Sequence, residues 1–285
     1  MAEVLGPRLR PDRERPGDGS AGACDTALLE VRDVAFAYSG IPALDGVDLR
    51  VATGEAVCIV GPNGAGKTTL AKVICGLLRP DAGDVRLAGE SLVRLRAHRV
   101  AAKGVAIVLE GRHVFAEQSV RANLELGAYW RRPSRATLDE ECARVFELFG
   151  DLERFASTPA GSLSGGQQQM LCVGRALMGA PRLMILDEPS MGLSPKLAGE
   201  LYEAMNRLRG QGLTILLIEQ NAELAFRFCG RGYLLQHGRA VLEGTVAELR
   251  ATDLVRRIYL GGERAERATA PAPVPGARAH EKEAR

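Results

Sequence analysis

Three short, unbroken apolar runs punctuate the chain: Ala56–Val60 (AVCIV), Leu183–Leu186 (LMIL) and Thr214–Ile218 (TILLI). Runs of that length without alternation predict strands buried on both faces. Helical periodicity lies between them. Leu70, Val73, Ile74, Leu77 and Leu78 predict a helix over Thr68–Leu78, stopped by Arg79-Pro80, and a second helix is predicted over Pro195–Arg209. Strands alternating with helices predict a mainly parallel sheet covered on both sides. Ahead of the first run, Ala27–Val31, Val34–Tyr38 and Val47–Val51 read as further strands, an N-terminal β subdomain. Residues 92–160 are more charged, with Leu124, Leu126, Cys142, Val145, Phe146 and Phe149 as apolar positions, and read as a helical insertion broken by the strand Val105–Leu109. The ends differ from this middle. Residues 1–26 are rich in Pro, Gly and Arg, and 263–285 carry Pro271, Pro273 and Pro275; both are expected to be disordered tails.

Composition narrows the function classes. A chain of 285 residues with 46% hydrophobic content can build a sizeable core. A formal net charge of +2 gives no global field for nucleic acid, and none is expected as a partner. No apolar run approaches the roughly 20 residues that span a bilayer, and the first residues hold no apolar stretch of signal-peptide length. The six cysteines fall in no metal-ligand spacing; Cys58, Cys75 and Cys172 lie in apolar runs and read as buried thiols.

The chemistry gathers at the ends of the apolar runs. Gly61-Pro62-Asn63-Gly64-Ala65-Gly66-Lys67-Thr68-Thr69 fits the GxxxxGK[ST] pattern, between a buried strand and an amphipathic helix. Its glycines allow backbone N–H groups to converge on phosphate oxygens, and the helix N-terminus adds positive potential. Lys67 suits the β- and γ-phosphates, and Thr68 suits Mg²⁺. The run LMIL ends in Asp187 and Glu188. The first is expected to hold the metal ion, the second to orient or deprotonate the attacking water. Leu163-Ser164-Gly165-Gly166-Gln167 opens another amphipathic helix, with a hydroxyl, two glycines and free N–H groups at its tip. One loop already cradles the triphosphate, so this second tip is expected to grip the γ-phosphate from a partner subunit.

These motifs in this order resemble the ABC ATPase family, whose signature is LSGGQ. The resemblance covers about residues 27–262, with a helical subdomain inserted at about 111–165, in a P-loop ABC ATPase fold. It implies ATP and Mg²⁺ as ligands and a head-to-tail dimer, each ATP held between Lys67 of one chain and Ser164–Gln167 of the other. Tyr38 matches the aromatic that stacks on adenine, and Ser190–Ser194 the loop that touches the dimer mate. Two γ-phosphate sensors depart from the family pattern: Glu110 stands in place of glutamine and Gln220 in place of histidine. Glu110 keeps an oxygen for Mg²⁺ but adds negative charge; Gln220 can donate a hydrogen bond but cannot become cationic. The expectation is slow basal turnover with Glu188 as the dominant catalytic group.

Val108–Phe115 (VLEGRHVF), Ile218–Asn221 (IEQN), Gly165–Leu171, Asp187–Pro195 and Val255–Gly262 resemble the LivF-type ATPases of branched-chain amino-acid importers, although Leu109 and Ala116 replace that group's usual prolines. The resemblance implies an ATPase peripheral to the cytoplasmic face of the membrane. Its partners would be two transmembrane permease subunits, a second LivG-like ATPase (or a second copy of this chain), and, indirectly, an extracytoplasmic binding protein. Arg112–Phe115 is expected to face the permease. Urea or short-chain amide import, a non-transport ABC ATPase, and an ATP-holding regulator are the alternatives.

Overall fold

A computed structural model of the chain describes residues 8–9 and 27–255. The expected tails, Arg8 and Leu9 excepted, and residues 256–262 of the closing motif lie outside the described residues. Arg8–Leu9 forms a short strand, β1, within what reads as tail in the sequence. After it come β2 (Ala27–Tyr38) and β3 (Ile41–Ala52), each longer than the pattern predicts. The two expected segments 27–31 and 34–38 are one strand, irregular around Asp33 (φ 49°).

Next are β4 (Ala56–Val60), α1 (Lys67–Ile74), β5 (Ala82–Leu87), β6 (Glu90–Ser91), α2 (Ala97–Ala102) and β7 (Val105–Val108). The helical segment holds α3 (Val120–Gly127) and α4 (Arg135–Leu148), followed by α5 (Gly165–Leu177). The chain then runs through β8 (Leu183–Asp187), α6 (Pro195–Gly210), β9 (Thr214–Glu219), α7 (Ala222–Phe228), β10 (Arg231–Gln236), β11 (Arg239–Thr245) and α8 (Val246–Ala251).

Two sheets result. The larger runs β1-β11-β10-β4-β9-β8-β7, parallel from β10 to β7 and antiparallel at its β11 end. The smaller, β3-β2-β5-β6, is antiparallel. The apolar runs are continuous because both faces of the large sheet are covered. Val57, Ile59, Ile185, Leu216 and Ile218 point into a core shared with the small sheet, α1 and α2. Their neighbours Cys58, Val60, Met184, Leu186, Ile215 and Leu217 point into a second core under α3 to α8.

Two boundaries differ from expectation. Helix α1 stops at Ile74, not Leu78, because Gly76 takes a left-handed conformation (φ 69°); a Cβ there would also meet Val100 Cγ2 at 2.9 Å. The insertion also begins later than residue 92. Val100 on α2 is buried with the small sheet, and β7 pairs with β8, so both belong to the sheet core and not to the helical insertion. In the same stretch, helix begins only at Ala97.

Candidate nucleotide-binding site

The chemistry-bearing residues leave the C-terminal ends of adjacent parallel strands. Val60 is level with Glu219, Asp187 with Ile218, and Val108 with Leu186. The glycine loop after β4, Glu188 after β8, Gln220 after β9 and Glu110 beyond β7 therefore share one edge, where ligands of open parallel sheets bind.

The glycine loop is shaped by close packing. Gly64 (φ 77°) and Gly66 (φ 102°) use backbone that disfavours other residues, and a Cβ on Gly66 would lie 2.5 Å from the carbonyl of Ala43. The turn after β10 braces the loop from outside: Gly238 N–H donates to Ala65 O at 2.9 Å, and Asp45 N–H donates to Gly238 O at 2.8 Å. This brace carries no motif in the sequence. Asn63 and Gly64 are exposed, while Pro62, Thr68 and Thr69 are half-buried.

Lys67 is buried; its Nζ donates to Gly61 O (2.9 Å) and Pro62 O (3.2 Å) and lies 3.6 Å from Glu188 Oε1. Glu188 has a left-handed backbone (φ 48°), held by its N–H donating to Ile218 O at 2.9 Å. Asp187 is fully buried, and neither carboxylate oxygen accepts a hydrogen bond of good geometry. Burial pushes its pKa up to about 6; Glu188 and Glu110 push the same way, and the Thr68 hydroxyl and Lys67 pull it down. A buried carboxylate without donors, beside a threonine hydroxyl, suits a hydrated cation better than a protein hydrogen bond. Among the described residues no cluster of three or more His, Cys, Asp or Glu side chains forms a metal cage. An Mg²⁺ here would draw its remaining ligands from phosphates and water, as that ion usually does.

Tyr38 closes β2 with its ring 45% exposed, packed edge-on against Phe36, and its hydroxyl 3.5 Å from Thr69 Oγ1. Tyr38 is thus partly open to solvent beside the glycine loop. Glu110 and Gln220 are exposed. The neighbour of Gln220 does more than its motif indicates. Glu219 is buried, and its Oε1 accepts from Ser190 Oγ (2.7 Å) and Tyr202 OH (2.8 Å). Burial and the charge of Glu188 raise its pKa, while the Ser190 and Tyr202 hydrogen bonds lower it. It ties the end of β9 to the loop after Glu188. The only hint in the sequence is a carboxylate closing an apolar strand.

The signature segment stands apart. Ser164 caps α5: its hydroxyl accepts from Gln167 N–H (3.4 Å), and Gln167 Oε1 accepts from Ser164 N–H (3.0 Å). Ser164 is exposed, Gly165 and Gln167 are half-buried, and Gly166 is buried against Leu197 and Leu193. Among the described residues no hydrogen bond joins this tip to the glycine loop. The glycine loop and the signature tip thus lie at two separate helix N-termini rather than in one closed pocket.

Comparison with known proteins follows the same lines. Residues 44–191 match the family model described as ABC transporter. The high-affinity branched-chain amino acid transport ATP-binding protein BraG of Pseudomonas aeruginosa is 40% identical, over 82% of this chain and all of that protein. The probable branched-chain amino acid transport ATP-binding protein LivF of Archaeoglobus fulgidus is 35% identical, over 79% of this chain and 94% of that one. A crystal structure of a nucleotide-free ATP-binding cassette from an ABC transporter superposes with a TM-score of 0.74 at 26% identity, covering 81% of this chain and 98% of that one. A bacterial ABC transporter cassette solved as a dimer gives 0.71 at 25% identity, covering 76% and 98%.

Proposed function

Because this chain belongs to the ABC transporter family and is one of its ATPase subunits, we propose that it powers an importer for branched-chain amino acids. The cargo reading is supported by the names of relatives that match nearly end to end. Among the described residues no helix is long and apolar enough to cross a membrane. The chain would dock peripherally, at the cytoplasmic face, on permease subunits that do the spanning. We assign residues 27–262 to the ATPase domain, with 111–165 as its helical subdomain.

The observation that carries the catalytic reading is the trio at the sheet edge: unpartnered Asp187, then Glu188, with Lys67 in reach of Glu188. Adenine would stack on Tyr38. Backbone N–H groups of Gly61 to Thr69 would wrap the phosphates, and Lys67 would exchange its loop carbonyls for β- and γ-oxygens. Thr68 and Asp187 would hold Mg²⁺, with Glu110 offering a further oxygen. Held there, such an ion would supply positive charge to offset that of the phosphates. Glu188 would orient the water and receive its proton, and Gln220 would donate an amide hydrogen bond to the γ-phosphate. Ser164 to Gln167 of the opposing subunit, a second copy or a related ATPase, would close the sandwich.

The test is turnover of Glu188→Gln in the assembled transporter. ATP hydrolysis is expected to fall about 100- to 1000-fold with ATP binding retained. Near-normal turnover would remove Glu188 from the catalytic role. ATP-dependent uptake of leucine into vesicles checks the cargo, and failure with leucine, isoleucine and valine alike would reject it.

A further inference from the structure

The loop leaving β7 is fastened to α5 at both ends of that helix. In the last turn of α5, Arg175 donates from Nη2 to the carbonyl of His113 and from Nη1 to Asn123 Oδ1 (3.4 Å), and its guanidinium lies 5.1 Å from the centre of the Phe115 ring. Buried Asn123 on α3 completes the clamp. Its Oδ1 accepts from Phe115 N–H at 2.9 Å, and its Nδ2 donates to Phe115 O at 3.0 Å. Phe115 itself is 52% exposed on this rigid mount.

Arg112 makes the second attachment. It follows Gly111 (φ 105°) with a left-handed backbone of its own (φ 51°). Its Nη2 donates to Gly192 O at 3.0 Å. The guanidinium also lies so close to Gly165, the first residue of α5, that a Cβ there would overlap Nη1 and Cζ. A Cβ on Gly192 would come within 2.7 Å of Nη2. One planar cation therefore touches the signature tip and the turn between β8 and α6, while its backbone belongs to the loop that presents Phe115.

We propose that Arg112 is a positioning residue that ties the Gly111–Phe115 loop to the signature tip and the Ser190–Ser194 turn, and so sets the geometry that these two segments offer to the partner's nucleotide. This rests on the sandwich reading above, in which those two segments face the opposing subunit. Arginine suits the task because a flat, forked guanidinium covers a bare glycine and reaches a carbonyl at once; lysine offers only a point charge. Gly165 then serves twice, freeing N–H groups for phosphate and leaving room for the cation.

The test is ATPase kinetics of the assembled transporter. Arg112→Ala is expected to lower kcat about tenfold while leaving KM for ATP within about twofold, and Arg112→Lys to recover only part of the loss. Gly165→Ala should displace the guanidinium and reduce kcat in the native background, yet add little to Arg112→Ala. An unchanged kcat in Arg112→Ala overturns the proposal, as does a Gly165→Ala penalty of equal fold in both backgrounds. So does an equal loss of nucleotide binding by the isolated Arg112→Ala chain. A native transporter without ATPase activity would instead defeat the parent reading, and this one with it.

Discussion

The glycine loop and the signature tip both lie at helix N-termini, yet they are finished to different degrees. The loop is braced from β3 and from the turn after β10, and its lysine is buried and pinned to two carbonyls. The tip is held mainly by its own capping box, by Arg112 and by packing of Gly166, with Ser164 exposed. One surface is braced within the chain. In the proposed sandwich the other would meet nucleotide only when a second subunit supplies it. On the proposed sandwich reading, the difference teaches that geometry would keep catalysis from the lone subunit, since helix N-termini are already present at both places.

Gly66→Ala should break the finished half most severely. It forces a side chain onto a φ of 102° and against the Ala43 carbonyl, at a cost of about 2–4 kcal/mol. Nucleotide Kd, measured by calorimetry on the isolated chain, should rise by about 30-fold or more. Wild-type affinity would show that the brace does not shape the loop.

Asp187→Asn sharpens the comparison from the other direction, because the finished half stores an electrostatic cost. The folded-state pKa of about 6 lies above the ordinary 3.8, so the folded chain holds an extra proton between those values. Stability of the nucleotide-free chain therefore falls as pH rises through that window, and the full penalty is present above it. Asp187→Asn should raise stability at pH 7 by about 1–3 kcal/mol and flatten this slope. Magnesium-dependent hydrolysis should be lost in the same variant. Chemical denaturation at pH 4.5 and 7 reads the first effect, and a wild-type slope in the variant would exclude Asp187 as its source.

Ser164→Ala should have the smallest effect on the lone chain and a selective one on the pair. Loss of the cap costs about 1 kcal/mol, while nucleotide affinity of the isolated subunit stays within about twofold. ATP-driven dimerisation of a Glu188→Gln chain, followed by sedimentation, should be weakened. Equal dimerisation with and without the hydroxyl would take Ser164 out of the interface.

Much of the fold was legible because its signals are local. Ala56–Val60, Leu183–Leu186 and Thr214–Ile218 are buried strands at nearly the expected bounds, since covering both sheet faces demands unbroken apolar runs. Helix α6 begins at Pro195 behind the Ser194 cap, as expected. The end of α1 was misread because leucines at 77 and 78 continue the helical period, while Gly76 breaks the backbone one turn earlier. A start of the insertion at residue 92 was a misreading of the pattern, because the charged residues around 94–102 flank a strand that completes the large sheet.

The sequence by itself determined the glycine loop, the acidic pair after a buried strand and the capped, glycine-rich start of α5. Each depends on spacing within about ten residues and on the φ freedom of particular glycines. Tertiary structure alone decided that β9 lies between β4 and β8, that Glu219 reaches Ser190, that a turn near residue 238 braces the phosphate loop, and that Arg112 rests on Gly165. Those neighbours are brought together by parallel crossovers and by packing across tens of residues, and such contacts leave no periodic trace along the chain.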